Sequence, residues 1–154
     1  ICSPLLGIAV LVNNRNIWQV ETKHEFVDKL GTWGNIMPPT FVKIGVDNYA
    51  LLFKDPYSGM GVTSERTYFI SKVKDSFRRV LKIDESYEDN FGICGKKVII
   101  ECYKFSTKLK LSVNSKELFY PITITKSGKR FNNKSRIEKF KEIKKYTFSV
   151  DSYK

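Results

Sequence analysis

The chain is predicted to fold as an α+β protein, in which an antiparallel sheet of about six strands is packed by two helices. Three observations support this class. Residues 41–54 have the pattern of a two-stranded hairpin, residues 97–125 that of a run of strands, and residues 64–83 repeat apolar side chains at helical spacing. No repeat or linker divides the chain, so residues 1–154 are expected to form a single domain.

The chain opens with a nearly continuous apolar stretch over residues 1–12, ICSPLLGIAVLV. The stretch is too short to span a bilayer, and its β-branched residues favour a buried first strand. The alternative interpretation is the tail of a signal or anchor segment whose charged front would lie upstream of Ile1. An exported or membrane-associated protein is expected in that case, and a cytoplasmic one otherwise.

Residues 41–54, FVKIGVDNYALLFK, combine two apolar strands with a turn signal at Asp47–Asn48. A two-residue loop there pairs Val46 with Tyr49, and then every second residue outward from them. The pairing places six apolar side chains on one face: Val42, Ile44, Val46, Tyr49, Leu51 and Phe53. This agreement between loop length and apolar pattern predicts a β-hairpin.

Two segments change to the period of a helix. Ser64 is a suitable N-cap, and the apolar residues that follow it recur three or four positions apart: Ile70, Val73, Phe77, Val80 and Leu81. Ser135 and Glu138 have the spacing of a capping box, with a narrow apolar stripe at Ile137, Phe140 and Ile143. The sequence therefore predicts an amphipathic helix near 64–83 and a short basic helix near 135–145.

Between these helices, residues 97–125 contain three predicted strands: KVIIECYKF, KLKLSV and ELFYPITIT. In the second of them, apolar residues alternate strictly with Lys108 and Lys110. Because successive side chains of a strand point to opposite faces, the lysines are expected on a wet face, with Leu109 and Leu111 on a covered one.

The positive charge is confined to one part of the chain. Residues 1–94 contain 11 Lys and Arg against 11 Asp and Glu, whereas residues 95–154 contain 16 against 5, so the whole net charge of +11 lies in the last 60 residues. Such a one-sided field attracts an anionic partner. The residues expected to form the binding surface are Lys108, Lys110, Arg136, Lys139, Lys141, Lys144 and Lys145.

No cofactor or metal site is predicted. The three cysteines, Cys2, Cys94 and Cys102, include no pair at the spacing of a zinc motif, and the chain has a single histidine. The Gly59–Gly61 turn lacks the lysine and the spacing of a phosphate-binding loop. The sequence therefore points to neither zinc-finger nor P-loop chemistry.

One short motif has the form of a catalytic turn. Gly92–Gly95, with Cys94 inside it, resembles the nucleophile turn of chymotrypsin-like viral cysteine proteases. The resemblance implies that Cys94 is the nucleophile and that the upstream His24 is its base. It covers four residues, since Lys96 stands where that family has glycine and a helix is predicted where that family has strands.

The sequence therefore predicts a non-catalytic binding or accessory domain that presents its basic C-terminal half to an acidic partner, with another protein favoured. A nucleic-acid-binding protein or small nuclease is the alternative, because lysines interleaved with aromatic residues such as Tyr103 and Phe105 suit backbone attraction and base stacking. An anionic membrane surface has the same complementary charge. A cysteine protease that uses Cys94 and His24 comes third, and the balance is against an enzyme.

Overall fold

The computed structural model describes residues 3–31, 36–89, 103–113, 116–131 and 136–154. The strands in these ranges are β1 (Leu5–Asn14), β2 (Ile17–Lys29), β3 (Thr40–Gly45), β4 (Asn48–Gly59), β5 (Val62–Val73), β6 (Ser76–Asp89), β7 (Tyr103–Leu111), β8 (Ile122–Phe131), β9 (Ile137–Tyr146), β10 (Phe148–Ser149) and β11 (Ser152–Tyr153). The α+β prediction is wrong, because the described residues are all-β. They include no helix that is long and apolar enough to span a membrane.

The helix predicted near 64–83 is a β-hairpin of β5 and β6, which pair around a tight turn at residues 74–75. Lys74 adopts a left-handed φ of 56° that suits such a turn. Two β-bulges interrupt the pairing, and one of them leaves Val80 without a partner beside Leu81, so that both side chains are buried. A bulge shifts the alternation of a strand by one residue. The apolar residues of β6 therefore acquire the spacing of a helix.

The basic helix predicted near 135–145 is the strand β9, which pairs with ten consecutive residues of β8 without a shift. Ser135, its predicted capping residue, lies outside the described residues. Ile137 and Ile143 project from one face of β9, and Phe140 projects from the other. The apolar stripe is split between two faces because β8 supplies the hydrogen bonds of a ladder, and β-branched isoleucines favour that arrangement.

The strands β3 to β9 form one antiparallel sheet in the order of the chain. β1 and β2 form a separate hairpin, and β10 and β11 form a second, much shorter one. The predicted antiparallel sheet in a single domain is confirmed. The strands predicted over 97–125 are only partly correct. Residues 103–111, predicted as parts of two strands, form the single strand β7, and the third predicted strand begins at Ile122 as β8 and continues to Phe131. Residues 97–102 lie outside the described residues.

The hairpin predicted over 41–54 is present as β3 and β4, but its register is wrong. The turn lies at residues 46–47, so Gly45 pairs with Asn48, and a bulge beyond Gly45 shifts the register again. Asp47 has a left-handed φ of 56°, which permits the tight turn one residue earlier than predicted. Four of the side chains predicted for one face are consequently divided between two clusters on opposite sides of the sheet, Val42 and Ile44 in one and Leu51 and Phe53 in the other. Val46 and Tyr49 belong to neither cluster.

The hydrophobic core lies in these two clusters, one on each face of the sheet. The larger one contains Ile44, Ala50, Phe69, Val73, Val80, Leu81, Ile83, Ile122, Ile124 and Tyr153. The smaller one joins Leu30, Phe53, Tyr68 and Ile70 to the base of the β1–β2 hairpin. The hairpin therefore covers the outside of β4–β6, and the larger cluster fills the inside.

The sheet curls until residues 117–121 lie beside β3. The Tyr120 N–H donates a hydrogen bond to the Ile44 carbonyl at 2.7 Å. The Val46 N–H donates to the Glu117 carbonyl at 3.1 Å. These bonds cover the edge of β3 and bring β8 over the same core, because β8 follows directly after residues 117–121.

The predicted first strand is present as β1, but it is not buried. Leu6 and Ile8 pack against the smaller cluster, whereas Leu5 and Leu11 are 66% and 54% exposed. The hairpin thus covers the sheet with one face and leaves the other in solvent. The signal or anchor interpretation of residues 1–12 stays a prediction.

Gly45→Ala is expected to lower the free energy of unfolding by about 2 kcal/mol. A Cβ at this position would overlap the Leu118 carbonyl group, whose carbon lies 2.7 Å away, and would push residues 117–121 from β3. Urea unfolding measures the change. Gly59→Ala is the control, because the Cβ added there meets the side chain of Tyr57, which can turn away. An equal loss in both variants would contradict the role given to Gly45.

Tyr153→Phe is expected to lower the free energy of unfolding by about 1 kcal/mol at neutral pH. The buried hydroxyl donates to the carbonyls of Tyr120 and Ile44, at 3.0 and 3.3 Å, and burial raises the pKa of Tyr153 above its ordinary value. The unfolded chain therefore releases this proton first. The contribution of Tyr153 is complete below about pH 10 and declines as the pH rises further.

Urea unfolding of the wild type and of Tyr153→Phe, at neutral and at alkaline pH, measures both effects. The decline of stability at alkaline pH should be shallower in the variant. Identical alkaline declines would show that another group causes the loss.

Candidate functional site

Strands β7, β8 and β9 carry most of the residues predicted to bind an anionic partner. β8 pairs with β7 and with β9 in continuous registers that contain no bulge. Paired residues share a face of the sheet, and successive residues of a strand alternate between faces. The two registers therefore determine which side chains stand together.

One face of these strands is a surface of lysines and hydroxyl groups. Its four rows across β7, β8 and β9 are Lys104–Lys129–Lys139, Ser106–Ser127–Lys141, Lys108–Thr125–Ile143 and Lys110–Thr123–Lys145. All seven lysines are exposed, and the rows contain no acidic residue. Glu88 of β6 stands at the border and pairs with Lys104. We call these rows the lysine face.

The acidic residues of β9 lie on the opposite face. Glu138 pairs with Arg130 in the register of β8 and β9, and the Arg130 Nε donates to its Oε1 at 2.8 Å. This bond raises the pKa of Arg130. A second carboxylate, that of Glu142, lies 3.8 Å from the same guanidinium. The carboxylates of β9 are thus held away from the lysine face and lie with cations such as Arg130 on the opposite face.

The aromatic residues also lie on the opposite face. Tyr103 stacks on Phe140 with ring centroids 5.7 Å apart, and Phe105 stacks on Tyr87 at 6.0 Å. Lys126 Nζ stands 3.6 Å over the centre of the Phe105 ring. These rings pack against one another and against cations on the face opposite the lysine face. Base stacking on them stays a prediction.

The lysine face borders a cleft of about 410 Å³. Hydroxyl groups of Thr63, Ser86, Ser106 and Ser127 line it, beside two lysines of the first row. Gly128 lies at its floor, where the backbones of β7 and β8 approach each other. Glu88, which pairs with Lys104, also lines the cleft together with Tyr87 and Phe105. The cleft therefore combines hydroxyl groups, aromatic rings and both signs of charge.

The structure brings together most of the predicted site residues. Five of them lie on the lysine face: Lys108, Lys110, Lys139, Lys141 and Lys145. Lys144 lies on the opposite face with Glu142, and Arg136 is exposed just before β9. Sequence analysis missed Lys104 and Lys129, because only the pairing of β7 with β8 reveals that they share the face.

Comparison with known proteins was made for the whole chain. No family model, no curated protein and no solved structure matches it. The lysine face carries ammonium and hydroxyl groups. Such groups donate hydrogen bonds to carboxylates and phosphates.

The residues of the protease and nuclease alternatives do not form a site in the described residues. His24 lies in β2, half-buried, with its ring edge-on to Phe77 at a centroid distance of 5.7 Å. Its Nε2 is buried without a hydrogen-bond partner. Cys94 lies outside the described residues. His24 thus packs as part of the hairpin interface, with no described group positioned to exchange a proton.

Three acidic residues of β6, Asp84, Glu85 and Glu88, each pair with a cation. Asp84 lies 3.3 Å from Arg66, and Glu85 lies 3.2 Å from Lys54, whose pKa is raised by hydrogen bonds to its acidic neighbours. Across the part of the chain that the structure describes, no group of three or more potential metal ligands occurs. These carboxylates therefore act as ion-pair partners within the sheet.

His24→Leu is expected to raise the free energy of unfolding by about 1 kcal/mol, because it removes a buried nitrogen that lacks a partner. Lys23→Leu is the control. The side chain of Lys23, next to His24 in the chain, is exposed, so this substitution should change the free energy of unfolding by less than about 0.5 kcal/mol. Urea unfolding compares the two variants. A marked loss of stability in His24→Leu would show that Nε2 is bonded after all.

Proposed function

We propose that this protein is a non-catalytic binding domain whose lysine face docks an acidic surface of another protein. The observation that carries the proposal is the alignment of seven lysines on one face of three adjacent strands, with no carboxylate among the rows. This arrangement gathers part of the positive charge of the last 60 residues on one surface. A surface of one sign steers a partner of the opposite sign to it.

The close spacing of the lysines favours the binding of carboxylates. Lys104, Lys129 and Lys139 stand opposite one another in a single row. Glu88 pairs with Lys104 at the β6 end of this row, so the row carries three cations against one carboxylate. Like charges opposite one another across a ladder disfavour the pairing, and an acidic partner adds carboxylates that offset this excess.

A protein suits the lysine face better than a nucleic acid does. Ile143 is 59% exposed in the middle of the face, between Lys141 and Lys145 along the strand, and Ile137 is 48% exposed at its end. Protein interfaces combine apolar contacts with a charged rim, whereas a phosphate backbone has no apolar surface for an isoleucine. The aromatic rings that a single strand would need for stacking lie on the opposite face.

Nucleic acid is the competing candidate, because the same lysines would neutralise phosphates. Binding of that kind is recognised by an affinity that falls steeply as salt rises. It would not depend on an exposed isoleucine. An anionic membrane would likewise depend on charge alone.

The test compares two triple variants with the same change in net charge. Lys139→Glu/Lys141→Glu/Lys145→Glu reverses charges on the lysine face, whereas the control, Lys29→Glu/Lys144→Glu/Lys154→Glu, reverses exposed lysines outside it. The probes are a fluorescent peptide of glutamate and valine, a fluorescent DNA duplex and vesicles that contain phosphatidylserine. Fluorescence anisotropy follows the first two probes and co-sedimentation the third, across a salt series.

The peptide is expected to bind the wild type and the control, and to bind the lysine-face variant at least about tenfold more weakly. Ile143→Ser should weaken peptide binding by about tenfold and leave the duplex unaffected, because only the peptide offers apolar contacts. Tighter binding of the duplex, unchanged in Ile143→Ser, would replace the protein partner with nucleic acid. Equal binding by both triple variants would refute a role for the lysine face.

A further inference from the structure

The open strand edges of the protein differ sharply in charge. β9 is the last strand of the main sheet and carries four lysines and two glutamates. β1 pairs with β2 on one side, and no other described strand pairs with its second edge. The whole of β1, LLGIAVLVNN, contains neither a charge nor a proline. Charged side chains and prolines are the usual protection of an edge against pairing, and β1 lacks both.

An apolar groove lies beside the open edge of β1. It has a volume of about 750 Å³ and lies between residues 8–11 of β1 and the strands β3–β5. Phe41 and Tyr49, which line it, are 78% and 52% exposed. Leu51, Ile70 and Phe77 add to its apolar lining, and the charged residues Asp47, Lys72 and Lys74 also line it. A strand added to β1 would therefore rest on aromatic side chains that are now in solvent.

The hairpin itself exposes further apolar surface. Six of its large apolar side chains are 54 to 67% exposed: Leu5, Leu11, Ile17, Trp18, Val20 and Phe26. Leu11 also lines the groove, so the hairpin surface continues into it. Leu11, Phe41 and Tyr49 line the groove and are exposed by half or more, so a strand that fills the groove removes their apolar surface from water.

We propose that a second copy of this chain covers this surface, by pairing its β1 antiparallel to β1 about a two-fold axis. Such an interface is self-complementary, since each copy supplies both the strand and the groove. Because β1 is uncharged, the pairing sets no charge opposite a like charge and buries none over Phe41 and Tyr49. The edge of β9 is unsuited to the same contact, because its six charged side chains would lose water on pairing.

A membrane surface fits these residues less well than a second copy. The turn at the end of the hairpin, residues 13–16, is Asn-Asn-Arg-Asn, which would enter the bilayer first. Glu21 and Glu25 on β2 would meet anionic headgroups. The β1 interface uses strands other than β7–β9, so it does not rest on the proposed function of the lysine face.

Sedimentation equilibrium of the full chain tests the proposal. The wild type is expected to be a dimer at micromolar concentration. Leu11→Lys puts a charge on the pairing strand, and Phe41→Ser removes part of the groove, so each should weaken the dimer by about tenfold or more. Val113→Lys is the control, because Val113 is apolar and 77% exposed but lies outside the patch. Circular dichroism and urea unfolding establish that each variant is folded.

A cysteine scan of β1 tests whether the two β1 strands pair antiparallel about a two-fold axis. The scan is made in a chain with Cys2, Cys94 and Cys102 changed to serine. In an antiparallel pair about a two-fold axis, only one or two neighbouring positions face their own copies closely enough for a disulfide. Crosslinks at every position would indicate parallel stacking and overturn the symmetric dimer. Three other results would also overturn the dimer. The wild type could stay monomeric, the dimer could be unaffected by Leu11→Lys and by Phe41→Ser, or a monomer could bind phosphatidylcholine vesicles through Leu11.

Discussion

Backbone hydrogen bonds tie β3 to residues 117–121 and turn an open sheet of seven strands into a curled one. The Asn48 side chain adds a bond to the Leu118 carbonyl at 2.8 Å, and Gly45 leaves room for the two backbones to approach. Only the curled form lets side chains of β3 and β8 share one hydrophobic core. The burial of Tyr153, and with it the position of the C-terminal hairpin, follows from the same closure.

The regularity of the strands differs between the two parts of the sheet, and the difference has consequences for charge. Bulges in the β5–β6 pair fit those strands around the core, whereas β7, β8 and β9 pair without interruption. An uninterrupted register keeps every second side chain on one face. The lysines of three strands therefore add up to one surface, while Glu138 and Glu142 turn to Arg130 on the other.

The two proposed contacts need strands of different charge: a charged strand at the lysine face and an uncharged strand at β1. A domain that docks an acidic partner through lysines near β9 also protects that edge, because like charges prevent the strand from pairing with its own copy. β1 has no such protection and is flanked by exposed apolar side chains, so an uncharged strand is the partner that matches it. The contacts use different strands, and one molecule has room for both.

The sequence by itself determined the antiparallel sheet, the hairpin over 41–54, the alternation of lysine and leucine around Lys108 and the concentration of charge in the last 60 residues. These features depend on local pattern and composition. Tertiary structure decided the rest. The bulge at Val80 gave β6 the apolar spacing of a helix, and the ladder to β8 made a strand of the segment near 135–145. The same ladders brought Lys104 and Lys129 into the lysine face and turned Lys144 out of it. Spacing along one strand cannot reveal such changes, because a bulge or a shared face is set by the strand hydrogen-bonded beside it.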